Sequence, residues 1–130
     1  MYKMKDVCEM TNISYETLKY YCNEGLVPNH KRDKNNHRIF TENDVNWIRG
    51  LMSLRQCGMS IKDMKTYMDL CFIGFDSINE RKKMLNKTRD DLLKEIELIK
   101  ESLEFIDDKQ KYYDDLLDGK IEYQSYLIDK

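Results

Sequence analysis

Residues 13–40 of the chain read ISYETLKYYCNEGLVPNHKRDKNNHRIF. Ser14 is a favourable N-cap, and the residues after it predict a helix to about Asn23. Gly25 is placed to end this helix, because glycine readily adopts the left-handed conformation found at helix ends. A short helix is predicted before it over residues 3–10, with a tight turn at residues 11–12. Two short helices joined in this way form a helix-turn-helix.

The second half of this stretch, from Val27 to Phe40, is polar and basic. Its segment from residue 28 to residue 40 carries four Lys or Arg and one Asp, a net charge of +3. Asn35 and Asn36 lie at its centre, and asparagine tolerates the positive φ that tight hairpin turns require. We therefore expect residues 30–31 and 38–40 to form the strands of a basic hairpin, or wing.

Three further helices are predicted after the hairpin. Each opens with a Ser or Thr followed three residues later by an acidic residue, which is the spacing of a capping box. They run from Thr41 to about Cys57, from Ser60 to about Cys71, and from Ser77 to Leu117.

The last helix carries an apolar seam. From Leu92 onward the apolar steps alternate between four and three residues, interrupted only by Gln110, which is typical of a coiled coil. A lone helix would leave this seam in water, so we expect it to pair with a second copy of the chain. The predicted dimerisation residues are Leu85, Leu92, Ile96, Ile99, Leu103, Ile106 and Tyr113. The tail after Gly119 is expected to fold back as a short helix.

These motifs, in this order, resemble the DNA-binding end of the MerR family of bacterial transcription regulators. The resemblance covers residues 2–71 and includes Gly25-Leu26-Val27-Pro28, Asn36-His37-Arg38 and Leu54-Arg55. It is nearest in character to the AdhR/NmlR-like small regulators. It implies an all-α fold with a small β-hairpin wing, in which a winged helix-turn-helix head precedes a long antiparallel coiled-coil helix. The expected domains are the head at 1–75, the dimerisation helix at 76–118 and a short tail at 119–130.

Recognition helices present their N-terminal residues to base edges, whereas phosphate contacts fix orientation. Tyr15 and Glu16 hold the base-reading positions, and Glu can accept a hydrogen bond from cytosine. The resemblance implies that the Tyr20 hydroxyl and the wing residue Arg38 clamp the DNA backbone. The predicted DNA-binding residues are Tyr15, Glu16, Thr17, Lys19, Tyr20, Lys31, Arg32 and Arg38.

The resemblance also implies a function. Such a homodimer would bind a palindromic promoter site and activate RNA polymerase by distorting the promoter spacer. The sequence does not identify the signal to which it responds, and an electrophile or oxidant is the candidate. One alternative is an architectural, excisionase-like DNA-binding protein without an effector switch. A thiol or metal enzyme is the other, but no grouping of residues in the sequence supports catalysis. No cofactor is expected.

Four cysteines occur, at positions 8, 22, 57 and 71, without a CxxC pair. This spacing does not indicate a zinc site, and free thiols are the expectation for a cytoplasmic chain. The AdhR/NmlR-like proteins place a sensor thiol where this chain has Ser53. Cys57, one helical turn later, is the candidate sensor thiol, and the alternative is that it is a small packed residue at a helix end. Cys22 is expected to be a surface thiol.

Composition limits the class of protein. Of the 130 residues, 35% are charged and 41% hydrophobic, with one proline, which favours a soluble, helix-rich chain. No apolar run approaches the roughly 20 residues of a membrane span, and the start lacks a signal peptide. We therefore expect a cytoplasmic protein. Residues 1–75 hold 11 basic and 9 acidic residues, whereas residues 76–130 hold 11 and 15, so the net charge of −2 hides a basic first half.

Overall fold

The computed structural model describes residues 1–128. Its elements, in chain order, are β1 (Tyr2–Lys3), α1 (Met4–Thr11), α2 (Tyr15–Asn23), β2 (Lys31–Arg32), β3 (Arg38–Phe40), α3 (Glu42–Gln56), α4 (Ile61–Ile73), a 3-10 turn (Phe75–Ser77) and α5 (Ile78–Leu117). The fold is mostly helical with a small sheet, as predicted. The chain divides into two compact units, residues 1–90 and residues 91 onward.

Helices α1 and α2 form the predicted helix-turn-helix. The Ser14 hydroxyl oxygen accepts a hydrogen bond from the Thr17 backbone N–H at 3.1 Å, which caps the start of α2. Helix α2 ends at Asn23, and Gly25 follows with a φ of +77°. Asn12, between the helices, also has a positive φ, which asparagine tolerates better than most residues.

One hydrophobic core holds the first unit together. It draws on α1 to α4, on β3 and on the segment that leads from α2 to the wing. Its fully buried side chains include Val7, Leu18, Leu26, Val27, Phe40, Val45, Ile48, Leu51 and Met64. Burial of each large aliphatic or aromatic side chain contributes about 1.5–3 kcal/mol of hydrophobic stabilisation. This core fixes the position of α2 against α1.

The wing is part of a three-stranded antiparallel sheet in the order β1-β3-β2. The hairpin of β2 and β3 was predicted, and Asn36 in its loop has a φ of +64°. Strand β1 was not predicted: Tyr2 pairs with Phe40, and Lys3 pairs with Ile39. The start of the chain therefore braces one edge of the wing.

Helices α3 and α4 begin at the predicted caps, Thr41 and Ser60. Helix α5 begins near the predicted residue, but Ser77 lies in the 3-10 turn before it. The Ser77 hydroxyl donates to the carbonyls of Leu70 and Gly74, and it accepts from Arg81 Nε at 2.9 Å. Ser77 therefore closes the end of α4 in addition to preceding α5.

In the second unit, α5 ends at Leu117 and Gly119 has a φ of +75°. The N–H of Lys120 donates to the carbonyl of Asp115, which closes the helix end. Residues 119–128 contain no helix, so the predicted short tail helix is wrong for the described part of the tail. Ser125 turns the tail instead, accepting hydrogen bonds from the N–H groups of Leu127 and Ile128. Positions 129 and 130 of the predicted tail domain lie outside the described residues.

Candidate nucleic-acid interface

Helix α2 has one face in the core and one face in solvent. Leu18, Tyr21 and Cys22 are buried. The opposite face carries Tyr15, which is 52% exposed, and Tyr20, which is 47% exposed. Glu16 and Lys19 are exposed beside them, whereas Thr17 is half-buried. The predicted base-reading and phosphate-binding residues of α2 therefore share the solvent face.

Thr17 differs from its neighbours on α2. Its hydroxyl accepts a hydrogen bond from the Ser14 hydroxyl at 2.8 Å, and its N–H donates to the same Ser14 oxygen. Thr17 thus takes part in the cap of α2.

Arg38 connects the wing with the end of α2. It lies at the start of β3, and its Nη2 atom donates to the Asn23 side-chain oxygen at 2.6 Å. Asn23 is the last residue of α2. The predicted wing arginine and the end of α2 are therefore joined by a direct hydrogen bond.

The two strands of the wing place Arg32 directly opposite Arg38. Like charges at directly opposed positions destabilise a sheet. Both guanidinium groups bond to neutral oxygens, since Arg32 Nη1 donates to the Asn36 carbonyl at 2.8 Å and Arg38 donates to Asn23. Together with the exposed Lys31, they keep a concentrated positive charge that suits a phosphate backbone.

Asp33 organises the loop of the wing. Its Oδ1 atom accepts hydrogen bonds from the N–H groups of Asn35 and His37, at 2.9 and 3.0 Å. The hydrogen bond from the His37 N–H is the main cause that lowers the pKa of the Asp33 carboxyl. The carboxylate therefore shapes the loop that carries the basic residues, although it subtracts one charge from them.

Sequence reasoning missed two residues of this surface, Asn23 and Asp33. Nothing local in the sequence pairs Asn23 with Arg38, because 15 positions separate them and only the packed core brings them together. Asp33 had a usable signal: an Asp two residues before an Asn in a polar turn commonly bonds to the backbone ahead of it.

The four free thiols differ in exposure. Cys57, the C-cap residue of α3, is exposed, as a sensor thiol must be. Cys22 is only 8% exposed, so its prediction as a surface thiol is wrong. It lies on the core side of α2, and burial raises the pKa of its thiol. Burial also raises the thiol pKa of Cys8 and Cys71.

The predicted dimerisation residues lie on α5, a 40-residue helix in which no residue is buried. Six of the seven are 40–59% exposed and Leu92 is partly exposed.

Within residues 1–128, no helix is both long and apolar enough to cross a membrane. In the same residues, no group of three or more His, Cys, Asp or Glu side chains is placed to hold a metal ion.

The helix-turn-helix, the adjoining wing and the unneutralised arginines define a winged helix-turn-helix protein. A family model described as MerR HTH family regulatory protein matches residues 2–71. The chain belongs to the MerR family of DNA-binding transcriptional regulators, as its sequence motifs predicted, and members of this family are not enzymes.

Two relatives of this chain are HTH-type transcriptional regulators. An HTH-type transcriptional regulator of Haemophilus influenzae is 34% identical over 112 residues, which cover 86% of this chain and 83% of that protein. The regulator AdhR of Bacillus subtilis is 32% identical over 87 residues, covering 67% of this chain and 62% of AdhR.

Two solved structures of MerR family regulators are similar to this chain. HiNmlR, a MerR family regulator lacking the sensor domain, has been solved bound to promoter DNA. It superposes with a TM-score of 0.75 at 32% identity, covering 92% of this chain and 90% of HiNmlR. A MerR family regulator structure from Listeria monocytogenes has a TM-score of 0.77 at 29% identity, with 92% and 91% covered.

Proposed function

We propose that this regulator acts in the cytoplasm as a homodimer paired through α5, and that it activates transcription from a palindromic promoter site. The observation that carries the proposal is the exposed seam of α5. Apolar side chains recur every seven residues at positions 85, 92, 99, 106 and 113, and none of them is buried in the single chain. A sustained seven-residue repeat favours a supercoiled helix pair.

We propose an antiparallel pair, as the family resemblance implies, and the seven-residue repeat allows that pair to be centred on Ile99. In that register Ile99 meets the partner's Ile99, and Leu92 meets the partner's Ile106. Leu85 meets the partner's Tyr113. Every member of the repeat then has an apolar counterpart. A two-fold axis through Ile99 gives an isologous dimer, which matches the symmetry of a palindromic site.

Each head divides its contacts between two tasks. Tyr15 and Glu16 at the start of α2 would read base edges in the major groove. Thr17, Lys19, Tyr20 and the wing arginines Arg32 and Arg38, with Lys31, would contact phosphates. The hydrogen bond between Arg38 and Asn23 supports this division, because it fixes the wing charge relative to the reading helix.

The proposed activation works by deformation of the promoter spacer, so that RNA polymerase meets its two recognition elements in a usable alignment. Bending a site of this size costs on the order of 1–6 kcal/mol. Phosphate contacts from two heads and two wings can offset such a cost.

The signal we propose is an electrophile or oxidant that modifies Cys57, which is exposed at the end of α3.

Transcription with purified polymerase tests activation. We expect the dimer to raise transcript yield from its promoter, and we expect the gain to disappear when the spacer is shortened to the optimal length. An architectural DNA-binding protein would bend the same duplex without raising the yield on either template. That outcome would replace activation by the architectural function.

A further inference from the structure

A cavity of about 180 Å³ lies in the first unit, away from the exposed face of α2. It is bounded by the start of α3, the second half of α4 and the segment at Pro28-Asn29 that leads from α2 to the wing. Trp47, Met68, Cys71 and Phe72 form most of its apolar wall. An engineered apolar cavity of about 150 Å³ binds benzene, so this one has room for a single substituted ring.

The apolar wall is fixed at its centre. The Trp47 Nε1 atom donates to the Leu26 carbonyl at 2.7 Å, which holds the indole against the end of the helix-turn-helix. The indole N–H is therefore already bonded, and the ring itself is what a ligand would contact. Phe72, at 62% exposure, is open to solvent and can cover an occupant without disturbing the core.

The charge of the cavity selects against anions. Within the described part of the chain its lining includes one carboxylate, Asp44, and no Lys or Arg. Asp44 is 6% exposed, and its Oδ2 atom accepts the Thr41 N–H at 2.9 Å, so the carboxylate already serves the cap of α3. The side-chain amides of Asn29 and Asn43 offer both donors and acceptors.

From this geometry we propose that the cavity is a binding site for an uncharged one-ring compound that carries a hydrogen-bonding group, such as an aromatic alcohol. The ring would stack among Trp47, Met68 and Phe72, and its polar group would meet Asn29 or Asn43.

Occupancy would bear on DNA binding, and this second step rests on the proposed function. Pro28 and Asn29 lie between Val27, which is fully in the core, and His30, whose Nδ1 atom is 2.6 Å from the Val27 carbonyl. A ligand held there contacts the segment that positions the wing. If the compound changes the affinity of the protein for DNA, then by thermodynamic linkage DNA changes the affinity of the protein for the compound by the same factor.

The chain contains a single tryptophan, so all of its tryptophan emission reports on this cavity. The test uses the full chain and 4-bromobenzyl alcohol, whose bromine quenches an indole that it touches. We expect saturable quenching, and little saturable quenching by the anion 4-bromobenzoate. Cys71→Met extends a longer side chain into the cavity and should therefore weaken binding of the alcohol at least tenfold. Phe72→Ala should also weaken this binding. The control substitution Cys57→Met lies outside the cavity and should leave the binding unchanged.

The site would be overturned if quenching rose linearly with alcohol concentration without saturating. It would also be overturned if Cys71→Met and Phe72→Ala were quenched as strongly as the unsubstituted chain. The coupling is measured separately, by titrating a labelled promoter duplex with and without the alcohol. Unchanged duplex affinity would overturn the coupling. A chain that failed to bind any duplex would contradict the proposed function, while the quenching result would still stand by itself.

Discussion

Arg38 and Asn23 join the wing to α2 through a hydrogen bond of 2.6 Å between Arg38 Nη2 and Asn23 Oδ1. The Nε atom of Arg38 is buried and has no hydrogen-bond partner in the structure of residues 1–128. An unsatisfied buried donor costs about 1–3 kcal/mol. The arginine is therefore held in a pose that does not maximise its own bonding, which is consistent with a role in contacting DNA.

Asn23→Ala should lower DNA affinity indirectly, because it removes the hydrogen bond that positions Arg38. The lost hydrogen bond is worth roughly 0.5–1.5 kcal/mol, or about two- to thirteenfold in Kd. In the Arg38→Ala background the same substitution should have little further effect. A double-mutant cycle by fluorescence anisotropy measures this coupling, and additive losses would show that Asn23 acts independently of Arg38.

Arg38→Ala and Tyr20→Phe should weaken binding to every duplex, and Arg38→Ala should reduce the salt slope by about one. Glu16→Ala should instead change which duplex is preferred, by about 1–3 kcal/mol at one base pair. Binding to a library of sites at two salt concentrations separates the two effects. A change of preference in Arg38→Ala with an unchanged salt slope would mean that the wing reads bases.

Much of the fold could be predicted because its signals are local. Ser14, Thr41 and Ser60 sit at helix starts, and the core positions of α3 follow the helical period. Strand β1 could not be predicted, because two residues at the start of the chain carry no periodic pattern. Its pairing with β3 depends on a partner nearly 40 positions away.

The site shows the same division. The exposed face of α2 follows from its amphipathic pattern, so the exposure of Tyr15, Glu16 and Tyr20 could be predicted. The burial of Cys22 was missed, because Cys22 was expected to be a surface thiol, whereas it is buried beside Tyr21. Two adjacent helix positions, 100° apart, can both face the core when the apolar stripe is wide, and here both do.

Replacing Leu92, Ile99 and Ile106 with Asp should convert the proposed dimer to monomers, because each carboxylate would be buried in the seam without a partner. Sedimentation equilibrium measures the mass. Substitution of Lys94, Glu101 and Glu104 with Asp serves as the control, since these residues are exposed and lie on the side of α5 opposite Ile99. A wild-type chain that sediments as a monomer at micromolar concentration would contradict the dimer.

The hydrogen bonds to the Asp33 carboxylate that shape the wing loop should be intact at neutral pH and should weaken only as the pH falls below about 4. Hydrogen bonds from the backbone, first that of His37, lower the pKa of Asp33 from its ordinary value of about 3.9. A carboxyl whose folded pKa is lowered contributes stability above its unfolded pKa and loses that contribution as the pH falls through the folded pKa. Carboxylate NMR should therefore give Asp33 a lower midpoint than the same residue in a peptide of residues 31–38. Equal midpoints would contradict the loop bonds.

Cys57 is predicted to be the thiol that electrophiles modify first. It is exposed, whereas Cys22 is buried and the other two cysteines are partly buried. Burial raises the thiol pKa of those three, which lowers the fraction of reactive thiolate at neutral pH. Modification with a small aldehyde or peroxide followed by peptide mass spectrometry should place the first adduct on Cys57.

A response of transcription to the same reagents tests whether this reactivity is a signal. Cys57 lies beside Gly58, which has a φ of +91°, and Arg55 Nη1 donates to the Met59 carbonyl at 3.1 Å across this turn. An adduct on Cys57 adds bulk at the turn between α3 and α4, where this hydrogen bond holds the two helices in place. Cys57→Ser should therefore abolish the change in transcript yield while preserving DNA affinity, and Cys71→Ser should leave the response intact. If the Cys57→Ser protein still responds, Cys57 is reactive without being the sensor.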